Sequence, residues 1–398
     1  MNVNAMPLVT EAERYLEQKD YDRAAVAFSR IEELTEGSTP VARVGLARVA
    51  LALHRVDEAK AILAAALLKF PRCGEAIALQ GVIEEIAGER DAAMGCYLRA
   101  LVADPTVALA HANLGRCYAQ LERWELSAAS YTLAIQHGLE TAEVKTHLGT
   151  ALFRAGKPAE ALKVLTLTVN AHPKHLDAIL TLADVLVERG ALGLAAELLD
   201  NAAPRLPDEA LIPSRRAAIA LRMKDLEAAQ REARRHVELA PEDEEAWLFL
   251  AVVDTMRLHF DSAERALKYA LKLNPECWRA HYHLGGLADA LRQPAKAKRS
   301  YRAALRINPL AWEPMNNLAI VLLEEGTADA LREARTLLDQ AIRFELTPDS
   351  VITHYNLALA CLRLGDGDAA RRHATNLLKL APTDHPMATE AQRLLRVA

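Results

Sequence analysis

Cys277, His281 and His283 form the densest group of metal-type side chains in this 398-residue chain. Thiolate and imidazole are ordinary zinc donors, and a helix would set Cys277 and His281, four apart, on one face. His283 then points away from His281 and no fourth donor stands near in sequence, so neither a metal nor any other cofactor is expected. Arg215 and Arg222, seven apart, share one face of any helix that carries them. Two guanidiniums so placed suit an acidic peptide or a carboxylate through bidentate contacts, unless Glu188 and the acidic run 242–245 neutralise them internally. Gly149 with Gly156-Lys157 imitates a phosphate-binding loop, yet six residues separate the glycines where that motif has four. Neither G-x-S-x-G nor H-E-x-x-H occurs, and no enzyme activity is expected.

The whole composition narrows the partner in the same direction. Charge is nearly balanced, 48 basic against 53 acidic residues for a net of −5. Arg231, Arg234 and Arg235, then Lys296, Lys298, Arg299, Arg302 and Arg306, lack interleaved aromatics, so they read as solvated outer-face charges and nucleic acid is disfavoured. The longest uncharged apolar run, residues 61–68, is far too short to span a bilayer. Five scattered cysteines without a C-x-x-C pair fit a reducing compartment. Residues 1–8 lack the basic start and apolar core of a secretory signal. A cytoplasmic protein is therefore expected.

What positions these residues is a period of 34. One column of small residues runs Ala47, Gly81, Gly115, Gly149, Ala183, Ala217, Ala251, Gly285, Ala319, each 34 after the last, and a second runs Ala59, Ala93, Ser127, Ala161, Ala195, Ala229, Ala263, Ala297. Prolines at 71, 105, 173, 207, 241, 275 and 309 keep the same beat. Within one period, positions 247, 250, 251 and 254, then 260, 263, 264, 267, 270 and 271, are spaced by three and four, the signature of two helices each with one buried face. Asn274-Pro275 stops the second. Ala251 and Ala263 are small because two antiparallel helices must approach closely there.

Residues 244–277 carry Trp247, Leu250, Ala251, Ala263, Leu267, Ala270 and Pro275 at the W-x2-L-G-x2-Y, A-x3-F and P positions, and so resemble a tetratricopeptide repeat. The resemblance covers nearly the whole chain as eleven hairpins: 5–38, 40–73, 74–107, 108–141, 142–175, 176–209, 210–243, 244–277, 278–311, 312–348 and 351–384. Three extra residues are expected in the turn 326–331 and two near Asp349-Ser350, and 387–397 reads as a capping helix. There Ala388, Ala391, Leu394 and Leu395 would cover the last hairpin. Pro204, Pro207 and Pro213 should end the second helix of the sixth hairpin early, as a shortened helix in a rigid stack or as a hinge. The implied fold is all-α, a right-handed superhelical solenoid of helical hairpins.

Counting each hairpin from its first residue, places 4, 7, 8 and 11 of the first helix form the packed side and places 2, 5, 6, 9, 12 and 13 lie opposite, at about 100° per residue. The family implies that this opposite face lines a concave groove for an extended peptide. Place 6 reads Asn113, His147, Thr181, Arg215, Phe249, His283, Asn317 and Asn356, with Arg116, Arg154, Arg222, Tyr282, Asn316 and Tyr355 around it. Places 2 and 5 hold no lysine, which excludes the C-terminal carboxylate that chaperone-binding members grip. The expected function is a non-catalytic scaffold or adaptor holding a protein or peptide segment. Alternatives are a docking subunit of a secretion, pilus or trafficking machine, and a substrate-recruiting subunit of a transferase.

Overall fold

The computed structural model describes residues 6–344, 351–381 and 386–397, and every regular element among them is helical. The chain forms two compact units, Met1–Arg205 and Leu206–Ala398. In the first, α1 (Met6–Glu17) pairs with α2 (Tyr21–Thr35), α3 (Val41–Ala52) with α4 (Val56–Lys69), and α5 (Gly74–Ile86) with α6 (Arg90–Ala103). There follow α7 (Ala108–Gln120) with α8 (Trp124–Gln136), α9 (Ala142–Arg154) with α10 (Pro158–Ala171), and α11 (Leu176–Glu188) with α12 (Leu192–Ala202). In the second, α13 (Leu211–Arg222) pairs with α14 (Leu226–Leu239), α15 (Glu244–Met256) with α16 (Phe260–Leu273), and α17 (Trp278–Ala290) with α18 (Pro294–Ile307). Then come α19 (Trp312–Glu325) with α20 (Ala328–Phe344), α21 (Val351–Arg363) with α22 (Gly367–Leu380), and α23 (Pro386–Val397), which packs on both α21 and α22.

The first small-residue column exists because a large side chain from the partner helix faces it. A Cβ built on Gly81 would lie 2.6 Å from the Tyr97 ring, one on Gly285 2.4 Å from Tyr301, and one on Gly149 2.5 Å from Leu165. Where the column holds alanine, leucine is the cluster partner in two hairpins, Leu63 with Ala47 and Leu267 with Ala251, while Ala217 clusters with Ala233. In the glycine–tyrosine and alanine–leucine hairpins, place 8 and place 24 thus trade volume, as close packing of a core demands. Ser127 interrupts the second column without cost in unmet polarity, since its Oγ donates to Gly115 O at 2.7 Å.

Place 15, the turn between the two helices, takes a left-handed backbone in every hairpin with such a turn among the described residues. Glycines 88, 156, 190, 326 and 365 hold it in five, and Lys19, His54, Glu122, Lys224, Leu258 and Arg292 in six. Except at α19, where Gly326 N bonds Leu322 O, the turn closes the first helix with backbone bonds of the kind Leu258 N to Thr255 O, 3.0 Å, and His259 N to Asp254 O, 2.8 Å. A left-handed conformation costs an L-residue about 1–2 kcal/mol, partly offset by the chain entropy that glycine adds to the unfolded state. Leu258→Gly is therefore expected to stabilise the protein by about 0.5–1 kcal/mol, read as a higher urea midpoint.

Two features of the sequence acquire their physical form here. The three residues expected in the 326–331 turn instead lengthen a helix: α20 has 17 residues against 14 in α18, and the loop is only Gly326-Thr327. Three residues are nearly one helical turn, so the buried face returns to the core at Ala334, Leu338 and Ala341. The proline cluster does shorten α12 to 11 residues, followed by a 3-10 turn at Ala203–Arg205 that contains Pro204. Pro213 falls in the first turn of α13, where a missing N–H is harmless. The two insertions near Asp349-Ser350 and the proline at 382 lie outside the described residues.

Candidate functional site on the first helices

In the first unit, Arg116 of α7 reaches back to α5: its guanidinium lies 2.5 Å from Glu85 Oε1, and Nη2 also donates to Asn113 Oδ1 at 3.0 Å. Tyr97 O–H donates to the same carboxylate at 2.9 Å. Arg116 is thus bound to its neighbour rather than presented alone. The Nδ2 of Asn113 is buried and has no acceptor among the described residues. His147 is exposed and stacks on Tyr131 with ring centroids 5.6 Å apart, while Thr181 is half-buried and Arg154 exposed.

A recess of about 350 Å³ opens on α3, α5 and α7 of this unit. Its wall includes Val44, Arg48, Glu75, Leu79 and Leu109, with Asp104, Thr106 and His137 from the loops that follow α6 and α8. Arg48, Glu75 and Leu79 occupy places 9, 2 and 6, all on the face expected to be open. Reading place 6 for polar residues alone passed over them, because that place holds glycine and leucine in the second and third hairpins. Loop residues such as Asp104 have no helical period to reveal them.

In the second unit, Arg215 and Arg222 are both exposed on α13. The inward-turned arginine is Arg216, 3.0 Å from the buried Glu232 of α14. The acids at 243–245 serve other groups of this unit: Asp243 faces His236 at 3.6 Å, Glu244 accepts from Asn274 at 3.0 Å, and Glu245 pairs with Arg279. Phe249 and His283, consecutive members of the place-6 column, line one recess of about 250 Å³ together with Ser214, Leu248 and Arg279. Burial, and then the Arg279 charge, hold the His283 imidazole below its ordinary value. It is neutral at pH 7 and can both donate and accept a hydrogen bond.

Four residues expected to line the groove, Tyr282, Asn316, Asn317 and Asn356, join successive first helices. Asn356 of α21 donates to Asn316 of α19 at 3.2 Å, and the two are only 6% and 7% exposed. Asn317 donates to the Tyr282 hydroxyl at 3.4 Å. The Tyr282 ring packs against Tyr301, centroids 6.1 Å apart, and Tyr355 packs into the clusters beneath α22 and α23. Places 5 and 6 sit at the border between the packed and open faces, where a short amide is drawn into the seam between repeats.

The apparent metal cluster dissolves in a similar way. Place 4 bonds the carbonyl of the proline that ends the preceding hairpin: His111 Nε2 to Pro105 O at 2.8 Å, Trp247 Nε1 to Pro241 O at 2.9 Å, and His281 to Pro275. Cys277 is buried beside it. Among the described residues no three His, Cys, Asp or Glu side chains come together as metal ligands, and no helix is long and apolar enough to cross a membrane.

Family models described as tetratricopeptide repeat match residues 15–83 and 152–219, and 87–138, 257–297, 287–330 and 327–385. A comparison with curated proteins finds no match. Among solved structures the chain is similar to yeast Tom70, at 16% identity over 98% of this chain and 95% of that one, TM-score 0.53. It is also similar to a tetratricopeptide repeat protein from Parabacteroides merdae, at 17% identity over 64% and 98%, TM-score 0.50. At these identities the likeness is one of fold.

Proposed function

Because the chain belongs to the tetratricopeptide repeat family, whose fold is typical of protein–protein interaction scaffolds, we propose that it is a non-catalytic adaptor holding an extended partner segment on its first-helix face. The observation that supports this most is the second unit's recess, where Phe249 offers an apolar surface and His283 a neutral hydrogen-bonding ring beside it. That mixture suits a peptide, whose side chains need apolar contact and whose backbone needs donors and acceptors. Arg222 adds a cation on the same face of α13, and the eleven hairpin limits given above define the repeats. Five free cysteines favour a reducing cytoplasmic compartment for the assembly.

The test is capture from native lysate with mild cross-linking, using the unaltered chain and Arg222→Glu with His283→Glu in parallel. Partner recovery should fall at least about tenfold, the equivalent of about 1.4 kcal/mol, and cross-links on the unaltered chain should fall on first helices. A second reading, docking by an edge, is favoured by exposed Met223, Met256, Leu258 and Leu291, which crowd the turns of three successive hairpins. Capture that survives the double variant but is lost in Met256→Ser with Leu258→Ser would replace the groove reading with the edge one.

A further inference from the structure

In the recess of the second unit Glu245 and Arg279 pair with each other, whereas that of the first carries an excess of acid. Val44, Leu79 and Leu109 give it an aliphatic wall. The one guanidinium in the wall, Arg48, is committed to Glu13 of α1, with Nη1 2.7 Å from Oε1 and 2.8 Å from Oε2. Glu75 stands exposed at the mouth, and its carboxyl has no hydrogen bond or ion pair among the described residues. Asp104 Oδ1 takes the Thr106 N–H at 2.9 Å and the Thr106 hydroxyl at 2.7 Å, which fixes the carboxylate in place and leaves Oδ2 without a protein donor. The neighbouring ring, His137, is stacked on His111 at 5.4 Å.

Two carboxylates therefore face a concave, aliphatic-walled space whose one guanidinium, Arg48, is shared with Glu13, so acids outnumber the cation there. Low-dielectric walls focus such a field and strengthen a charge-assisted bond formed inside it. Lysine and arginine match both halves, an alkyl stem for the wall and a cationic head for the carboxylates. Building on the groove reading above, we propose that the first unit's recess binds the lysine or arginine side chain of an extended peptide, with Val44, Leu79 and Leu109 along its stem and Glu75 and Asp104 on its head. The state of the carboxyls agrees: desolvation, with Glu13 and Asp104 adding to it and Arg48 opposing, raises Glu75, whereas the Thr106 bonds hold Asp104 low and ionised.

The test uses the full chain and a positional-scanning library of extended, biotinylated nonapeptides at physiological salt. Peptides bearing Lys or Arg at one fixed position next to an apolar residue should be enriched. Glu75→Gln with Asp104→Asn, nearly isosteric and checked by thermal melting, should weaken their binding about tenfold or more. Glu75→Lys should abolish it, and the distant Glu160→Gln should leave it intact. Enrichment of acidic or uncharged peptides, or Lys/Arg enrichment that survives both recess variants, overturns the proposal. If peptides still bind and Arg222→Glu with His283→Glu removes them, this proposal fails while the groove reading stands; if no peptide is retained, both fail.

Discussion

Gly285→Ala should lower the stability of the second unit by about 1–3 kcal/mol, although alanine is the better helix former by up to about 1 kcal/mol. The added methyl would sit 2.4 Å from one ring carbon of Tyr301 and 2.5 Å from another, and that ring is 1% exposed. The tyrosine cannot swing out, so α17 and α18 must separate. Two further variants make the claim specific. Tyr301→Leu placed with Gly285→Ala recreates the alanine–leucine pairing of Ala251 and Leu267, and should recover most of the loss. Gly95→Ala in α6, where a Cβ would meet nothing within 4 Å, should instead stabilise by about 0.5–1 kcal/mol. Urea midpoints for the four chains decide it, and a Gly285→Ala protein as stable as the unaltered one refutes the packing account.

The same pairing explains how much of the fold was legible beforehand. A hairpin core that repeats every 34 residues forces small residues at Gly81, Gly115 and Gly285 wherever tyrosine faces them, and those columns are visible without coordinates. The lengthened α20 was less so: Gly326 marks where the turn lies, but nothing in the letters says whether three added residues lengthen a loop or a helix. Asn316 and Asn356 show the limit at the site. Periodicity assigns an angle, and near the border of two faces an angle does not decide between solvent and a buried amide pair with a neighbour 40 residues away. The first unit's recess was missed for a different reason, since Asp104 and His137 come from loops and Glu75 becomes distinctive only once Arg48 is seen bound to Glu13.

Acidification should weaken the second unit well before the first. His236, His281, His283, His354 and His373 all lie in residues 206–398, and burial is the leading cause that holds each below its ordinary value of 6.5. His354 further opposes the protonation of His373, their Nδ1 atoms being 3.3 Å apart. Asp243 opposes the depression at His236 and Asp339 at His373, while Arg372 and Arg335 deepen it at the latter. The sign follows from proton uptake: as pH falls through 6.5 the unfolded chain protonates these rings while the native chain does not, so the unfolded state gains and stability drops. Above 6.5 both states are neutral and the contribution is level. The depressed carboxylates Asp104, Glu264 and Asp366 act only near and below their ordinary values of 3.8 to 4.5. The raised carboxyl of Glu75 takes up its proton first in the native chain, which favours the first unit on acidification, so the loss between pH 7.5 and pH 5.5 belongs to the histidines. Hydrogen exchange corrected for intrinsic rate should show protection falling across α14 to α22 and holding in α1 to α12. His354→Gln with His373→Gln should flatten the decline whatever it does to stability at pH 7.5. Equal loss of protection in both units, or an unchanged slope in the double variant, would refute the assignment of acid sensitivity to these buried rings.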